Sequence, residues 1–380
     1  MRNIRIGSLL GIPILINPSW FVLLGLITWL LAAEVFPEYL EDASPGTYFL
    51  MAVASVLLFF TSIVLHELAH SAVARAYRIP VRSITLFVFG GVAQITQEAK
   101  RPLSELLMAG AGPLTSLLLG FAFLGAWWGL GAEADRAIDS VLVWLAVTNV
   151  ALAIFNLIPA FPMDGGRIFR SLVWLISRDY NRATVVAGWT GRGFGWLFML
   201  IGFLAVFNVP VFVARPGLSA FWLVLIGLFL ENAARRSLIQ NRYIQTLEKY
   251  RVGELMVPDP PVVERDMTIG ALARGVLELN PRVCYFVESE GKLAGIISAY
   301  QMRAIPEALW DHVTAGEAMV PSARLKPANP EQNASEALLE MEEAELTHLP
   351  VVREGRVIGV IARDRILNIL RQSRMLSGPA

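Results

Sequence analysis

Long apolar runs separated by short polar segments dominate the first two thirds of the chain. A helix needs roughly 20 consecutive apolar residues to cross the hydrocarbon core of a bilayer. This pattern predicts about six transmembrane helices, with the third and fifth interrupted by glycines. The predicted spans are Ile14–Ala33, Tyr48–Ala74, Leu103–Leu130, Ala137–Ala160, Val185–Phe207 and Leu218–Ala233.

A different pattern begins after about Tyr250, where charged residues become frequent and short strand-like and helix-like segments alternate. Within this tail, Val252–Pro258 recurs as Ala315–Pro321, and Cys284–Ser298 recurs as His348–Ala362. The offsets of 63 and 64 residues indicate an internal repeat with one small insertion.

Each copy of the repeat ends in two apolar strands joined by a charged turn, which contains Gly291 or Gly355, and then a short helix. The change of composition marks a domain boundary. We therefore predict a membrane domain over residues 1–250, followed by a soluble α/β tail over 251–375. The two repeats of the tail cover residues 251–310 and 311–375.

The composition agrees with a membrane protein. Of 380 residues, 55% are hydrophobic and ten are Trp, and the mean hydropathy is +0.54. The formal net charge is zero and no basic stripe occurs, so we expect no nucleic-acid partner. The single cysteine, Cys284, excludes an intramolecular disulfide and a zinc site of the finger type.

Charged residues between the predicted spans indicate the orientation in a cell membrane. Basic residues lie before span one, after span six and in every second loop, which places these segments in the cytoplasm. They are Arg2, Arg5, Arg75, Arg78, Arg82, Lys100, Arg101, Arg167, Arg170, Arg178, Arg182, Arg235, Arg236 and Arg242. The alternate loops are acidic, so both termini are predicted to be cytoplasmic. The first span lacks a small-residue cleavage site and is expected to be retained.

Three ionisable residues interrupt the second apolar run, within His66-Glu67-Leu68-Ala69-His70. Charged groups at membrane depth are unfavourable and usually functional. On a helix both imidazoles share one face and can bind one metal ion, while Glu67 lies beside them as a candidate general base. The alternative is a set of interhelical hydrogen bonds without a metal. His312 and His348 lie in the soluble tail and are not expected to be metal ligands.

A carboxylate that completes a metal site occurs at the end of the fourth span. Pro159 and Pro162 break the helix, and Asp164-Gly165-Gly166 follows. Asp164 precedes the cytoplasmic Arg167 by three residues, much as His70 precedes Arg75 by five, so both are expected at a similar membrane depth. We therefore favour Asp164 as a third ligand. The alternative is that Asp164 caps the next helix, and the two roles are compatible.

A hairpin is predicted between the second and third spans. Val81–Thr96 alternates and is rich in Val, Ile, Thr and Phe around Phe89-Gly90-Gly91. The exposed edge of such a hairpin offers a place for an extended segment of a binding partner by strand addition. Phe89, Gly90 and Gly91 are therefore candidate substrate-binding residues. A hairpin that merely covers the site is an equal alternative.

The combination of His-Glu-x-x-His with Asn156-Leu157-Ile158-Pro159 and Asp164-Gly165-Gly166 resembles the site-2 protease family of intramembrane zinc metallopeptidases. The resemblance covers nearly the whole chain. It implies one zinc ion per chain held by His66, His70 and Asp164, with Glu67 activating the zinc-bound water.

The same resemblance gives Asn156 a role in engaging the substrate or the developing oxyanion. A hydrogen bond between helices is the alternative for this residue. The small-residue segment Gly110–Ser116 also resembles the family and is expected to pack beside the helix of the histidines.

The tail, from Val252 to Leu370, resembles a pair of cystathionine-beta-synthase-type (CBS) modules. Such pairs often bind adenine nucleotides and self-associate, which implies a nucleotide partner and a homodimer. The sequence departs from the nucleotide-binding pattern, because Gln301 and Arg365 stand where that pattern has an aspartate. Asp364 lies one position away, and the nucleotide-binding residues remain unassigned.

Together these features predict a zinc-dependent endopeptidase that cleaves the transmembrane segments of single-pass membrane proteins, in contact with lipid, with a regulatory or associating tail. Two alternatives belong to other classes. A CBS-regulated channel or transporter would have two related halves, which the first 250 residues lack. A catalytically silent relative that binds membrane proteins would not need Glu67.

Overall fold

The computed structural model of the chain describes residues 3–88, 90–95, 97, 99–130, 136–207, 209, 218–274, 284–289, 292–344, 346–354 and 356–377. Contacts between Cα atoms divide the chain into two compact units, Met1–Ile239 and Gln240–Ala380. Each unit has hydrophobic clusters of its own.

The first unit is mainly helical and contains one small sheet. A π-helical segment, Leu31–Val35, joins its first two helices. Its elements are β1 (Ile4–Leu9), β2 (Ile12–Ile16), α1 (Ser19–Leu30), α2 (Phe36–Tyr39), α3 (Pro45–Ala76), β3 (Val81–Phe87), β4 (Gly90–Ile95), α4 (Pro102–Leu130), α5 (Arg136–Asn156), α6 (Asp164–Ser177), α7 (Tyr180–Val206) and the part of α8 (Leu218–Glu248) up to Ile239.

Five helical segments in the described part of the chain are long and apolar enough to cross a membrane. They are Ser19–Tyr39, Pro45–Ala76, Pro102–Leu130, Arg136–Asn156 and Tyr180–Val206. The chain is therefore a polytopic α-helical membrane protein, as predicted. The sixth predicted span, Leu218–Ala233, falls on the first half of α8, which is helical but is not one of these five.

The sheet of the first unit has the order β1-β2-β3-β4. Strands β3 and β4 are antiparallel and form the predicted hairpin, while β2 pairs with β3 in parallel. The sequence analysis missed β1 and β2, since it assigned Ile14 to the first span. That boundary was wrong because Pro18 stands immediately before α1, where a helix begins. Ile12, Ile14 and Ile16 instead alternate inward as strand residues.

Helix α3 carries the histidine motif and begins with a defined cap. The hydroxyl of Ser44 accepts a hydrogen bond from the Thr47 amide, and Pro45 occupies the first turn. Helix α4 packs closely on α5, since a Cβ on Gly120 would lie 2.7 Å from Val150 Cγ2. Small residues at helix interfaces allow such close approach within a membrane.

The second unit alternates short helices and strands. Its elements are α9 (Val252–Leu255), β5 (Val257–Pro258), β6 (Val262–Glu264), α10 (Ile269–Leu272), β7 (Cys284–Ser289), β8 (Lys292–Ser298), α11 (Ala299–Arg303), α12 (Ala315–Ala318), β9 (Val320–Pro321), α13 (Ala334–Glu343), β10 (His348–Arg353), β11 (Arg356–Ala362) and α14 (Arg363–Ser377). The two predicted strands and following helix are present in each copy. The turn glycines Gly291 and Gly355 lie outside the described residues.

The two copies of the repeat complete each other's sheets. Strand β5 of the first copy pairs with β11 of the second, and β9 of the second copy pairs with β8 of the first. The resulting sheets have the orders β10-β11-β5 and β6-β7-β8-β9. Neither copy has its full sheet without the other, so the repeat forms one structural pair.

Candidate metal centre

Two histidines one helical turn apart face the interior of the first unit. His66 and His70 on α3 are 4% and 5% exposed, and their Nε2 atoms lie 3.2 Å apart. Asp164, the first residue of α6, places Oδ2 at 3.2 Å from His66 Nε2 and 3.1 Å from His70 Nε2. The three predicted metal-binding residues are thus brought together from positions 98 and 94 residues apart in the sequence.

A tight loop and two glycines place Asp164. Within the loop, the Met163 amide donates to the Ala160 carbonyl oxygen at 2.9 Å. A Cβ on Gly165 would overlap the Leu157 carbonyl group, and one on Gly166 would lie 2.8 Å from the Phe161 nitrogen. The chain therefore folds so closely on itself here that only glycine fits at these two positions.

The Asp164 side chain faces the histidines and not its own helix. Met163 occupies the N-cap position of α6, and it makes no side-chain cap. The carboxylate of Asp164 makes its described hydrogen bonds only with the imidazoles of His66 and His70. In this structure the carboxylate therefore does not serve as a conventional helix cap.

Helix α4 contacts the outer nitrogen of each histidine ring. The Nδ1 of His70 lies 2.6 Å from the Met108 carbonyl oxygen, and the Nδ1 of His66 lies 2.9 Å from Ser116 Oγ. A carbonyl oxygen only accepts, so His70 carries its proton on Nδ1 and directs the Nε2 lone pair inward. Contacts of this kind fix the orientation and tautomer of metal-binding histidines.

Gly112 lies directly beside the two rings. A Cβ at this position would fall 2.6 Å from His66 Nε2 and would overlap the ring of His70. The backbone of α4 therefore forms one wall of the centre. The predicted small-residue segment Gly110–Ser116 contains this position.

The geometry of the three side chains fits a zinc ion. With ligand distances of about 2.0–2.1 Å, the ligand atoms of a tetrahedral zinc site are separated by roughly 3.3 Å. The three observed separations are 3.1, 3.2 and 3.2 Å. Two imidazoles and one carboxylate are a suitable donor set, and a cation relieves the repulsion between a carboxylate and the inward lone pair of His70. Three protein ligands leave a fourth position for water, as in catalytic sites.

Glu67 lies next to the histidines on α3 and contacts the hairpin. Its Oε2 accepts a hydrogen bond of 3.0 Å from the Ala93 amide on β4. Gly91 packs on the same side chain, since a Cβ there would lie 2.9 Å from Glu67 Cγ. Among the described strands, β4 pairs on one side only, with β3. Glu67 therefore stands at the open edge of the sheet.

Of the candidate substrate-binding residues, the structure describes Gly90, Gly91 and Asn156. Gly90 and Gly91 open β4, and Gly90 has φ +117°, a conformation that favours glycine. Phe89 lies outside the described residues. Asn156 is the last residue of α5 and is half-buried, and its amide makes no hydrogen bond with any described residue.

The sequence analysis missed the residues that support the centre. Met108 contacts His70 and Ser116 contacts His66, but they are 38 and 50 residues from these histidines in the sequence. The sequence therefore did not indicate these contacts. Glu105 was a detectable signal, because it is a carboxylate inside the third apolar run. It is 1% exposed and pairs with Arg170 on α6.

In the tail, Gln301 and Arg365 stand where the nucleotide-binding pattern has an aspartate, and the structure shows where each side chain lies. Gln301 turns back to its own helix, where Oε1 accepts a hydrogen bond of 3.0 Å from the Ser298 amide. Asp364 and Arg365 are exposed.

Burial lowers the pKa of His348 to about 4 and raises the pKa of the Cys284 thiol to about 12. Both groups are therefore neutral at pH 7, as part of the folded tail.

Comparisons with known proteins agree with this division. The model of "Peptidase family M50" matches residues 54–132 and 127–202, and that of the CBS domain matches residues 252–305 and 315–372. "Putative zinc metalloprotease sll0528" of Synechocystis is 34% identical to this chain, covering 98% of it and 96% of the relative.

Two further relatives are similar at 28% identity. "Putative zinc metalloprotease Rip3" of Mycobacterium tuberculosis covers 99% of this chain and 95% of its own length. "Zinc metalloprotease MJ0392" of Methanocaldococcus jannaschii covers 97% and 96%. The similarity thus extends over the helical unit and the tail together.

Proposed function

The chain belongs to peptidase family M50, the site-2 protease family of zinc metalloproteases, and we propose that it cleaves transmembrane segments of single-pass membrane proteins. The observation that carries this proposal is the convergence of His66, His70 and Asp164 beside Glu67. His66, Glu67 and His70 lie on α3, one of the five helices long and apolar enough to span a membrane, which supports a reaction at membrane depth.

We assign His66, His70 and Asp164 as the ligands of one zinc ion. When bound, zinc supplies a Lewis acid that lowers the pKa of a coordinated water and polarises the substrate carbonyl. The Met108 carbonyl and the Ser116 hydroxyl hold the two imidazoles in orientation from the outside.

Glu67 is the general base and then the general acid in this proposal. Its carboxylate accepts a proton from the attacking water as the new C–O bond forms at the scissile carbonyl carbon. It then donates that proton to the amine nitrogen as the C–N bond breaks. Its contact with the Ala93 amide holds the carboxylate beside the sheet edge before the substrate arrives.

The open edge of β4 is the proposed binding place for the unwound substrate. An extended segment added to this edge pairs with backbone groups of β4 other than the Ala93 amide, which already donates to Glu67, and it passes next to Glu67. Phe89, Gly90 and Gly91 are assigned to this contact. Asn156, whose amide has no partner among the described residues, is assigned to the substrate or the developing oxyanion.

For the tail we propose a regulatory or associating role, with both termini in the cytoplasm. The excess of basic residues in alternate loops supports this orientation. The paired sheets of the two repeats support a CBS pair within the chain. We propose that this pair self-associates into a homodimer. An adenine nucleotide is its candidate ligand, although Gln301 is already engaged by Ser298.

The experiment compares the wild type with Glu67→Gln, both purified in detergent. Zinc per chain is measured by elemental analysis, and cleavage of a candidate transmembrane substrate is followed by mass spectrometry. One zinc ion in both proteins with cleavage only by the wild type supports the proposal. Absence of zinc from both contradicts the site.

A further inference from the structure

A buried ion pair joins helices α4 and α6. Arg170 Nε donates to Glu105 Oε1 at 2.9 Å, and a second guanidinium nitrogen contacts the same oxygen. Glu105 is 1% exposed and Arg170 is 7% exposed. Arg167 approaches the same carboxylate more loosely, with its Nε at 3.9 Å. The pair is therefore a specific contact between two buried charges.

The two helices joined by this pair carry different parts of the metal centre. Helix α4 holds Met108 and Ser116 against the histidines, and α6 begins with Asp164. At about 1.5 Å per residue, Glu105 lies ~4.5 Å along the axis from Met108, and Arg170 lies ~9 Å from Asp164. The pair thus links the supports of the histidines to the helix of the third ligand over a short distance.

Arg170 also contacts the loop that leads to Asp164. Its guanidinium carbon lies 5.4 Å from the centre of the Phe161 ring and 4.8 Å from that of Tyr180. Phe161 belongs to the loop, and its backbone nitrogen is one of the atoms against which Gly166 packs. One side chain therefore touches α4, the loop before Asp164 and the start of α7.

The pair is better suited to fixing geometry than to adding stability. Two charges lose their hydration when buried, and apolar residues of similar volume often stabilise a fold at least as well. Glu105 Oε2 has no hydrogen-bond partner among the described residues, so the hydration of this carboxylate is only partly replaced. In contrast, two nitrogens of a planar guanidinium that converge on one carboxylate oxygen form a directional contact, which fixes how α4 and α6 lie.

We propose that Glu105 and Arg170 are positioning residues that hold Asp164 at its distance from His66 and His70. This inference rests on the proposed zinc site. The described contacts of these two residues lie away from the donor atoms of His66, His70 and Asp164, so their effect on the site is transmitted through α4 and α6.

The experiment uses the full-length protein in detergent and four variants. Glu105→Gln and Arg170→Met each remove one charge, and the double variant removes both. Arg170→Lys keeps the charge but removes the planar guanidinium, whose two nitrogens contact Glu105 Oε1. Zinc affinity is measured by competition with a chelator. The visible spectrum of the Co²⁺-substituted protein reports the geometry of the ligands, and thermal unfolding of the metal-free protein reports stability.

Each single variant is expected to bind zinc 10–100-fold more weakly than the wild type, as is typical when an outer contact of a metal site is lost. The cobalt spectrum should change as well. The double variant leaves neither Glu105 nor Arg170 as a buried charge without its partner, so its thermal stability should recover relative to the single variants while its zinc affinity stays low. Arg170→Lys should bind zinc with an affinity between those of the wild type and Arg170→Met. If a charge-removing variant fails to fold, Arg170→Lys replaces it in the comparison.

Glu231→Gln is the matched control, because Glu231 pairs with Arg192 at 3.0 Å between α7 and α8. It should lower the melting temperature and leave zinc affinity and the cobalt spectrum unchanged. Wild-type zinc affinity in the single variants, or recovery of affinity together with stability in the double variant, would overturn the positioning role. Absence of zinc from the wild type would instead contradict the zinc site itself.

Discussion

His70 and Met108 lie on different helices, and the Nδ1 of His70 is 2.6 Å from the main-chain carbonyl oxygen of Met108. This contact sets the tautomer of His70 by the backbone, so no side-chain substitution at Met108 removes it directly. His66 differs, because its outer contact is the hydroxyl of Ser116 at 2.9 Å. The two histidines are therefore unequally sensitive to mutation of α4.

Ser116→Ala should weaken zinc binding by about 10–100-fold, since it removes the outer contact of His66 and leaves the ligands in place. Zinc affinity is measured by chelator competition. Thr115→Ala is the matched control, because the Thr115 hydroxyl donates to the Ala111 carbonyl of its own helix and has no other partner among the described residues. Equal zinc affinity in the Ser116 and Thr115 variants would show that the Ser116 contact does not support the metal.

Gly112→Ala should abolish zinc binding, because the new methyl group would occupy the space beside His66 Nε2 and the His70 ring. Gly110→Ala is the control on the same helix, since a Cβ there meets nothing within 4 Å. Elemental analysis of both purified variants gives zinc per chain. A full complement of zinc in the Gly112 variant would contradict the placement of α4 against the centre.

Asp164→Ala should lower zinc occupancy and leave the protein folded, because the carboxylate faces the histidines and does not cap α6. Asp179→Ala provides the comparison. Asp179 caps α7 by accepting from the Arg182 amide at 3.0 Å, so its loss should reduce stability by about 1 kcal/mol without affecting zinc. Unchanged zinc content in the Asp164 variant would mean that this residue is not a ligand.

The tail should lose stability as the pH falls from 7 to 5, and His348 accounts for the change. Its pKa is about 4 in the folded tail against 6.5 for an ordinary histidine, so the unfolded state binds more protons between these values. The contribution of the neutral ring to the free energy of unfolding is fully present above pH 6.5, and it is lost progressively as the pH falls from 6.5 to 4. At pH 5 the loss should be roughly 2 kcal/mol.

Hydrogen exchange of peptides from β10 and β11, corrected for intrinsic rates, measures this effect. His348→Gln lacks the titrating ring and should show a smaller difference between pH 7 and pH 5. If both proteins respond equally to pH, another group is responsible.

Much of the membrane unit could be predicted because lipid demands long apolar helices, and because ionisable groups stand out against them. His66, Glu67, His70 and Asp164 were recognisable for this reason, and so was the hairpin of β3 and β4. Strand β2 was missed, since five apolar residues before a helix look the same as the beginning of a span.

Residues that act across helices were beyond prediction from a single sequence. Ser116, Gly112 and the pair of Glu105 with Arg170 depend on how α3, α4 and α6 pack. The ion pair between Arg192 and Glu231 is another example, with the ring centres of Trp189 and Trp196 at 4.6 and 5.1 Å from the guanidinium carbon. Periodicity identifies the faces of a helix but not the partner that each face meets.

The central claim is that one zinc ion at His66, His70 and Asp164 works together with Glu67. The most direct measurement strips the purified wild type and Glu67→Gln of metal and titrates zinc back while cleavage of a transmembrane substrate is followed. We predict that both proteins take up one equivalent, and that cleavage returns with that equivalent in the wild type alone. Cleavage by the metal-free wild type, or full activity of Glu67→Gln, would contradict the account.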